Sequence, residues 1–411
     1  MRKISTGTPA VHPRRLAPAL GGLGLLLVVA GCGGGGSGDE QATGAGTGAP
    51  PDTACPVVVD LSGWQAFTAL AGRITAGEAV SAADLAALGE QASFTVWRES
   101  MAPVVPKPER VGNFLEEAFW DELGRTSERK AHADRRDLGL SYRWSWERRA
   151  RVDSLAAVVA TEAWACGLLE HTRGWIAPDR LPRPVRIHAV PGQPELRWHD
   201  GHLVVDTGVL VAGGPQQLQR QLAGLLYRNL EAVDGINPLE ATGDTAVAHV
   251  FRILRNEGLA TWIEDLPHTY FDRDHPRLRR VMPVPEHFYQ STLRVAEICG
   301  AVLPRLFADP QEMALRGQDF ARTLAAGGAF SQGGYGMAAV IAGRLGLPRL
   351  QEAAHSVPAF VAAFQEAALL NGDDRPLPGA LGHEPWACVA PLPVDVYDRL
   401  LPLLERESGP R

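Results

Sequence analysis

The chain has 411 residues, 21% of them charged and 45% hydrophobic, with a net charge of −7 and a pI of about 6.0. That balance provides no basic footprint of the kind a phosphate backbone demands, so nucleic acid is not an expected partner. The length suffices for one large domain or two ordinary ones of roughly 150 residues each, and no repeat appears at solenoid periods.

Arg2, Lys3, Arg14 and Arg15 precede an apolar run from Leu20 to Ala30. A charged start and a short apolar stretch describe a secretory signal, and the run is too short to span a bilayer. It ends in Val29-Ala30-Gly31-Cys32, which resembles a lipobox. The resemblance implies that residues 1–31 are removed, that Cys32 carries the lipid, and that the mature chain is a lipoprotein held in the cell envelope. Neither Gly33 nor Gly34 is the aspartate that retains lipoproteins in the inner membrane of many Gram-negative bacteria, which favours the outer membrane where the source has one. Residues 32–55 are mostly Gly, Ser, Thr and Ala through Pro51, without apolar periodicity, and read as a flexible tether.

Four further cysteines, Cys55, Cys166, Cys299 and Cys388, lie too far apart for a zinc knuckle. In an oxidising compartment they allow three disulfide pairings. Cys166 and Cys299 also sit inside apolar, helix-like runs, which suits buried free thiols.

Residues 56–180 form a helical region. Trp64, Phe67, Leu70 and Ile74 recur at spacings of three and four, and Phe114/Ala118 and Phe119/Leu123 each stand four apart. Ser81 followed by Asp84 predicts a capped helix start. Between Leu181 and Ala212 the pattern changes to strands: Pro184–Val190 is short and β-branched, while Glu195–His199 and His202–Val211 flank Asp200-Gly201, a tight hairpin turn. His199 and His202 then read as solvent-facing strand-end residues. Helices resume with an amphipathic stretch from Pro215 to Glu231, its apolar face carrying Leu218, Leu222, Leu225 and Leu226. A further helix holds Val247, Val250, Phe251 and Leu254. A Pro-rich, charged loop follows from Leu266 to Pro285, and helical patterns continue almost to the C-terminus.

The string Asn256-Glu257-Gly258-Leu259-Ala260 resembles the N-E-G-[LI]-A helix of gluzincin-type zinc metallopeptidases. In that family the glutamate is the third metal ligand, and small residues let its helix pack against the site. The order of elements is similar too: strands, an active-site helix, a glutamate helix, then further helices. Gly333-Gly334-Tyr335-Gly336 resembles the stretch that opens a helix beside the family's cleft, with Tyr335 as a cleft residue. The implied fold is α+β: a mostly helical zincin-like fold in which a small β-sheet precedes the active-site helix, placing the zincin-like region at residues 181–411.

The chain departs from the family where the chemistry resides. An active gluzincin needs H-E-x-x-H, since histidines one turn apart present two imidazoles to one zinc while the glutamate acts as base on the bound water. Laid on residues 224–228, the motif has Gly224 for the first histidine, Leu225 for the base and Arg228 for the second histidine. A guanidinium is permanently protonated and has no lone pair to offer a metal. Arg228 is expected to pair with Glu257, and zinc is expected to be lost.

Other chemistry is sparse. His383-Glu384 is followed by Pro385 and has Ala387 where a second histidine belongs. The densest ligand cluster is His268, Asp272, Asp274 and His275, which could bind a divalent cation, although solvated loop charges are commoner. No nucleophile elbow, P-loop or dinucleotide fingerprint occurs. Three readings follow: a non-catalytic pseudopeptidase binding a peptide or an envelope component, an active hydrolase using the His268 cluster with Glu257, or an unrelated helical structural lipoprotein.

Overall fold

The computed structural model describes residues 56–100, 111, 115, 118–119, 133–177, 179–192, 196–231, 240–265, 285–325, 329–370 and 390–407. Cys32, Cys55, Cys388 and the cluster His268, Asp272, Asp274 and His275 lie outside them. The protein is mostly helical with one small mixed sheet, an α+β arrangement. Strand β1 (Val57–Asp60) comes first, followed by α1 (Ser62–Thr75), α2 (Ala82–Gly89), α3 (Ala92–Ser100), α4 (Ala133–Glu147), α5 (Arg149–Val159) and α6 (Glu162–Thr172). Strands β2 (Val185–Val190), β3 (Leu196–His199) and β4 (His202–Asp206) complete the sheet. Helices α7 (Thr207–Leu230), α8 (Gly243–Ile263), α9 (Pro285–Ala308), α10 (Pro310–Ala325), α11 (Ala329–Leu345), α12 (Leu347–Ala353), α13 (Val357–Leu369) and α14 (Val394–Glu407) form the rest.

The strands lie in the order β1-β2-β4-β3, with β1, β2 and β4 parallel and β3 antiparallel at one edge. β1 was not foreseen by periodicity, being only four residues long and directly after the tether. Its pairing with β2 ties the N-terminal helical region into the sheet, and one continuous apolar core runs from Trp64 to Leu404. The stripe Trp64, Phe67, Leu70 and Ile74 is buried in it as the spacing predicts. Burial of each such side chain is worth about 1.5–3 kcal/mol against the unfolded chain. Ser81 and Asp84 form a complete capping box on α2.

The turn joining β3 to β4 is the two-residue hairpin expected of Asp-Gly. Asp200 has φ 45° and Gly201 φ 82°, both in the left-handed region that the favoured hairpin turn requires. The strand after it is shorter than its apolar character suggests, because β4 ends at Asp206 and Thr207–Val211 already belong to α7. The Asp206 carboxylate accepts hydrogen bonds from the backbone N–H of Gly208 and of Gly192, each at 2.7 Å. This cap starts a helix where a β-branched run reads as strand. The helix then kinks at Gly214 (φ 75°, ψ 179°), and Pro215 begins the amphipathic portion foreseen from the sequence. His199 and His202 are both half-buried rather than fully solvent-facing; the His199 side chain is 37% exposed, and His202 is hydrogen-bonded to the buried His188 at 2.8 Å. Among the described residues no single helix is long and apolar enough to cross a membrane.

Candidate functional site

Helices α7 and α8 run alongside one another and bring together the positions singled out in the sequence. Arg228 projects from the last turn of α7. Its Nε donates to Glu257 Oε2 at 3.1 Å and its Nη1 donates to Glu264 Oε1 at 2.7 Å. The pairing with Glu257 is the one expected from the sequence. Glu264 was not foreseen, although it lies seven residues beyond Glu257, two turns on and on the same face of α8. That spacing is the signal that marks it.

The three groups differ in solvent contact. The side chain of Glu264 is 9% exposed, that of Arg228 29% and that of Glu257 36%. Burial pushes the Glu264 carboxyl above the usual carboxylate range, Arg228 pulls it back down, and neighbouring Glu257 adds to the rise. Burial alone would lower the Arg228 pKa, but its two carboxylates hold it above the ordinary arginine value. The guanidinium is thus a fixed cation clamped between one buried and one half-exposed carboxylate.

Packing sets the other two positions. A Cβ at Gly224 would stand 2.2 Å from Glu264 Cγ and 2.7 Å from the Ala260 carbonyl oxygen, so α7 approaches α8 too closely there for any side chain. Leu225 is buried in the apolar core. A zinc ion does not fit these residues: Gly224 has no donor, Leu225 has no base, and Arg228 brings a positive charge to the space between the carboxylates. Among the described residues, no three His, Cys, Asp or Glu side chains converge as a metal site. Each carboxylate of the cluster gives one oxygen to the guanidinium.

Tyr335, read from the sequence as a cleft residue, is packed among aromatic rings. It lies within α11 rather than ahead of it, is buried, and packs against Trp262 at 5.5 Å and Phe288 at 5.2 Å between ring centroids. Its ring belongs to the core because α11 lies directly against α8 and α9. Cys166 and Cys299 are free thiols within α6 and α9, and burial pushes the Cys299 thiol up to about 12, which leaves it protonated and inert.

No protein-family model matches the chain, no curated protein matches it, and no solved structure matches it.

Proposed function

We propose that this chain is a lipoprotein, anchored through Cys32 to the cell envelope, whose domain is a zincin-like pseudopeptidase that binds an extended peptide or an envelope protein without cleaving it. The observation that carries the reading is the Arg228 guanidinium held between Glu257 and Glu264. In the gluzincin register it stands at the position of a zinc-binding histidine and engages the glutamate that would be the third ligand. Leu225 in place of the base and the side-chain exclusion at Gly224 point the same way. The binding part of the proposal draws on β3, which forms an edge of the sheet and packs against α7. An edge strand has unpaired backbone groups on one side and accepts an extended peptide as an added strand.

Two measurements on the full chain in detergent test this. Incubation with casein should give no chelator-sensitive cleavage, and Glu257→Gln should change nothing in that assay. Hydrogen exchange with and without a tryptic digest of casein should slow at residues 196–199. Chelator-sensitive cleavage that disappears in Glu257→Gln would overturn the pseudopeptidase reading, and exchange at β3 indifferent to peptide would overturn the edge-strand mode of binding.

A further inference from the structure

A second polar cluster lies on the sheet, on residues that the Arg228 site does not use. Asp60 pairs with His188 across β1 and β2, while His202 on β4 is two residues before Val204, the partner of His188. All three side chains therefore share one face. His188 Nδ1 is 3.0 Å from Asp60 Oδ2, and His188 Nε2 is 2.8 Å from His202 Nδ1. Asp60 also accepts from the Ser93 hydroxyl and from the Ser62 backbone N–H, each at 2.8 Å.

This chain of bonds fixes the tautomers. Burial raises the Asp60 pKa, but its hydrogen bonds outweigh that and hold the carboxyl below its usual range, so it is ionised and only accepts. His188 Nδ1 therefore carries a proton. With Nδ1 donating to Asp60, the His188 ring accepts at Nε2 from His202 Nδ1. His202 Nδ1 is taken up by His188, and its Nε2 makes no hydrogen bond to any described residue.

His199 is directly opposite His202 across the hairpin and shares the same face. Cβ atoms of such pairs are about 4.5–5.5 Å apart, a separation that two imidazoles ligating one ion can span with bonds of about 2.0–2.1 Å. Glu99 of α3 lies 3.7 Å from His199 Nε2, leaving Nδ1 of that ring for a ligand.

We propose that His199 and His202 form a two-histidine site for a late first-row divalent cation, of the class of zinc, nickel or copper, with water completing the coordination. Imidazole nitrogens suit these ions. Each histidine has a carboxylate behind it, Glu99 directly and Asp60 through His188, and outer partners of this kind orient metal-binding histidines and raise their basicity. The positive turn geometry at Asp200-Gly201 fixes the spacing of the pair. Arg186 pairs with His202 in the register and is the opposing charge on that face, with an exposed side chain free to turn into solvent.

The test is calorimetric titration of zinc and of nickel into the chelator-treated full chain, purified in detergent without a polyhistidine tag. One equivalent should bind. His199→Ala and His202→Ala should each weaken binding at least tenfold, and Arg186→Gln should tighten it. His188→Gln, which keeps both ligands but breaks the relay, should weaken it by about 10- to 100-fold. The His199 side chain is 37% exposed, against 7% for His188, so His199→Ala is the milder replacement and decides the matter even if the His188 variant misfolds. Absence of binding, or binding unchanged in His199→Ala, overturns the proposal. Binding lost instead in Glu257→Gln would put the ion between α7 and α8, overturning both this site and the metal-free reading of Arg228.

Discussion

Gly258 of α8 and Gly334 of α11 meet backbone to backbone, so that a Cβ at 258 would stand 2.2 Å from the Gly334 carbonyl carbon. A Cβ at 334 would be 1.9 Å from the Leu254 carbonyl oxygen. The two glycines belong to the two strings that carry the gluzincin resemblance, and their contact is what keeps α8 against α11. Alanine is the better helix former by about 1 kcal/mol, but overpacking at a backbone contact costs about 1–3 kcal/mol or more. Gly258→Ala is therefore expected to lower the urea midpoint. Gly300→Ala on α9, where the nearest atom would lie 4.0 Å away, should raise it. An unchanged midpoint for Gly258→Ala would contradict the close crossing.

Asp206 joins the sheet to α7 through two backbone donors, those of Gly192 and Gly208, and is itself buried. Asp206→Ala leaves both donors without their acceptor and should destabilise the domain by about 3 kcal/mol. Asp206→Asn, which retains one acceptor oxygen, should cost less. Thermal unfolding of the two variants provides the comparison, and equal losses would mean that the carboxylate does not bridge both donors.

What could be read from the sequence was set by local chemistry. The Asp200-Gly201 turn and the Ser81–Asp84 capping box each depend on neighbouring residues, and both form as expected. The strand β1 depends on pairing with β2, so that Asp60 meets His188 across 128 residues, and no local pattern reports such a partner. Val209-Leu210-Val211 has strand character, and only the Asp206 cap, with Gly192 as its distant second donor, makes it helical. At the site, the expected pairing of Arg228 with Glu257 forms, but Glu264 completes the clamp from 36 residues beyond Arg228. Its seven-residue spacing from Glu257 places it on the same face of the helix, but only the approach of α7 to α8 at Gly224 brings it to Arg228. The burial of Tyr335 was likewise hidden, because it depends on where Trp262 and Phe288 come to lie.

Under the proposed lipid anchoring, Cys32→Ser has no thiol to modify, and the preceding apolar run from Leu20 to Ala30 is too short to hold the chain as a span. The variant should move from the membrane fraction to the soluble fraction or persist as an uncleaved precursor. Fractionation identical to the unaltered protein, with normal processing, would remove Cys32 as the anchor.

The clamp around Arg228 makes a prediction about both stability and pH. Removing the guanidinium strands Glu264, whose side chain is 9% exposed, while Glu257 remains half in solvent and can be hydrated. Breaking a buried pair in this way costs about 3–5 kcal/mol, so Arg228→Ala should be severely destabilised near neutral pH. Replacing Arg228 and Glu264 together by leucine should cost much less, since no charge is then left buried. Because the folded-state pKa of Glu264 already stands above the usual carboxylate range, the folded protein holds that proton more tightly than the unfolded chain does. Its contribution to stability is lost as pH rises through the folded pKa and is fully present below the unfolded value. Without Arg228 the folded pKa rises further, so the penalty in Arg228→Ala should shrink as the solution is acidified from about pH 7 to about pH 5. Glu264→Gln, which has no proton to take up, should not show this recovery when combined with Arg228→Ala. Urea unfolding of the three variants at both pH values measures it, and a penalty for Arg228→Ala that is the same at each pH would mean that Glu264 is not the stranded charge.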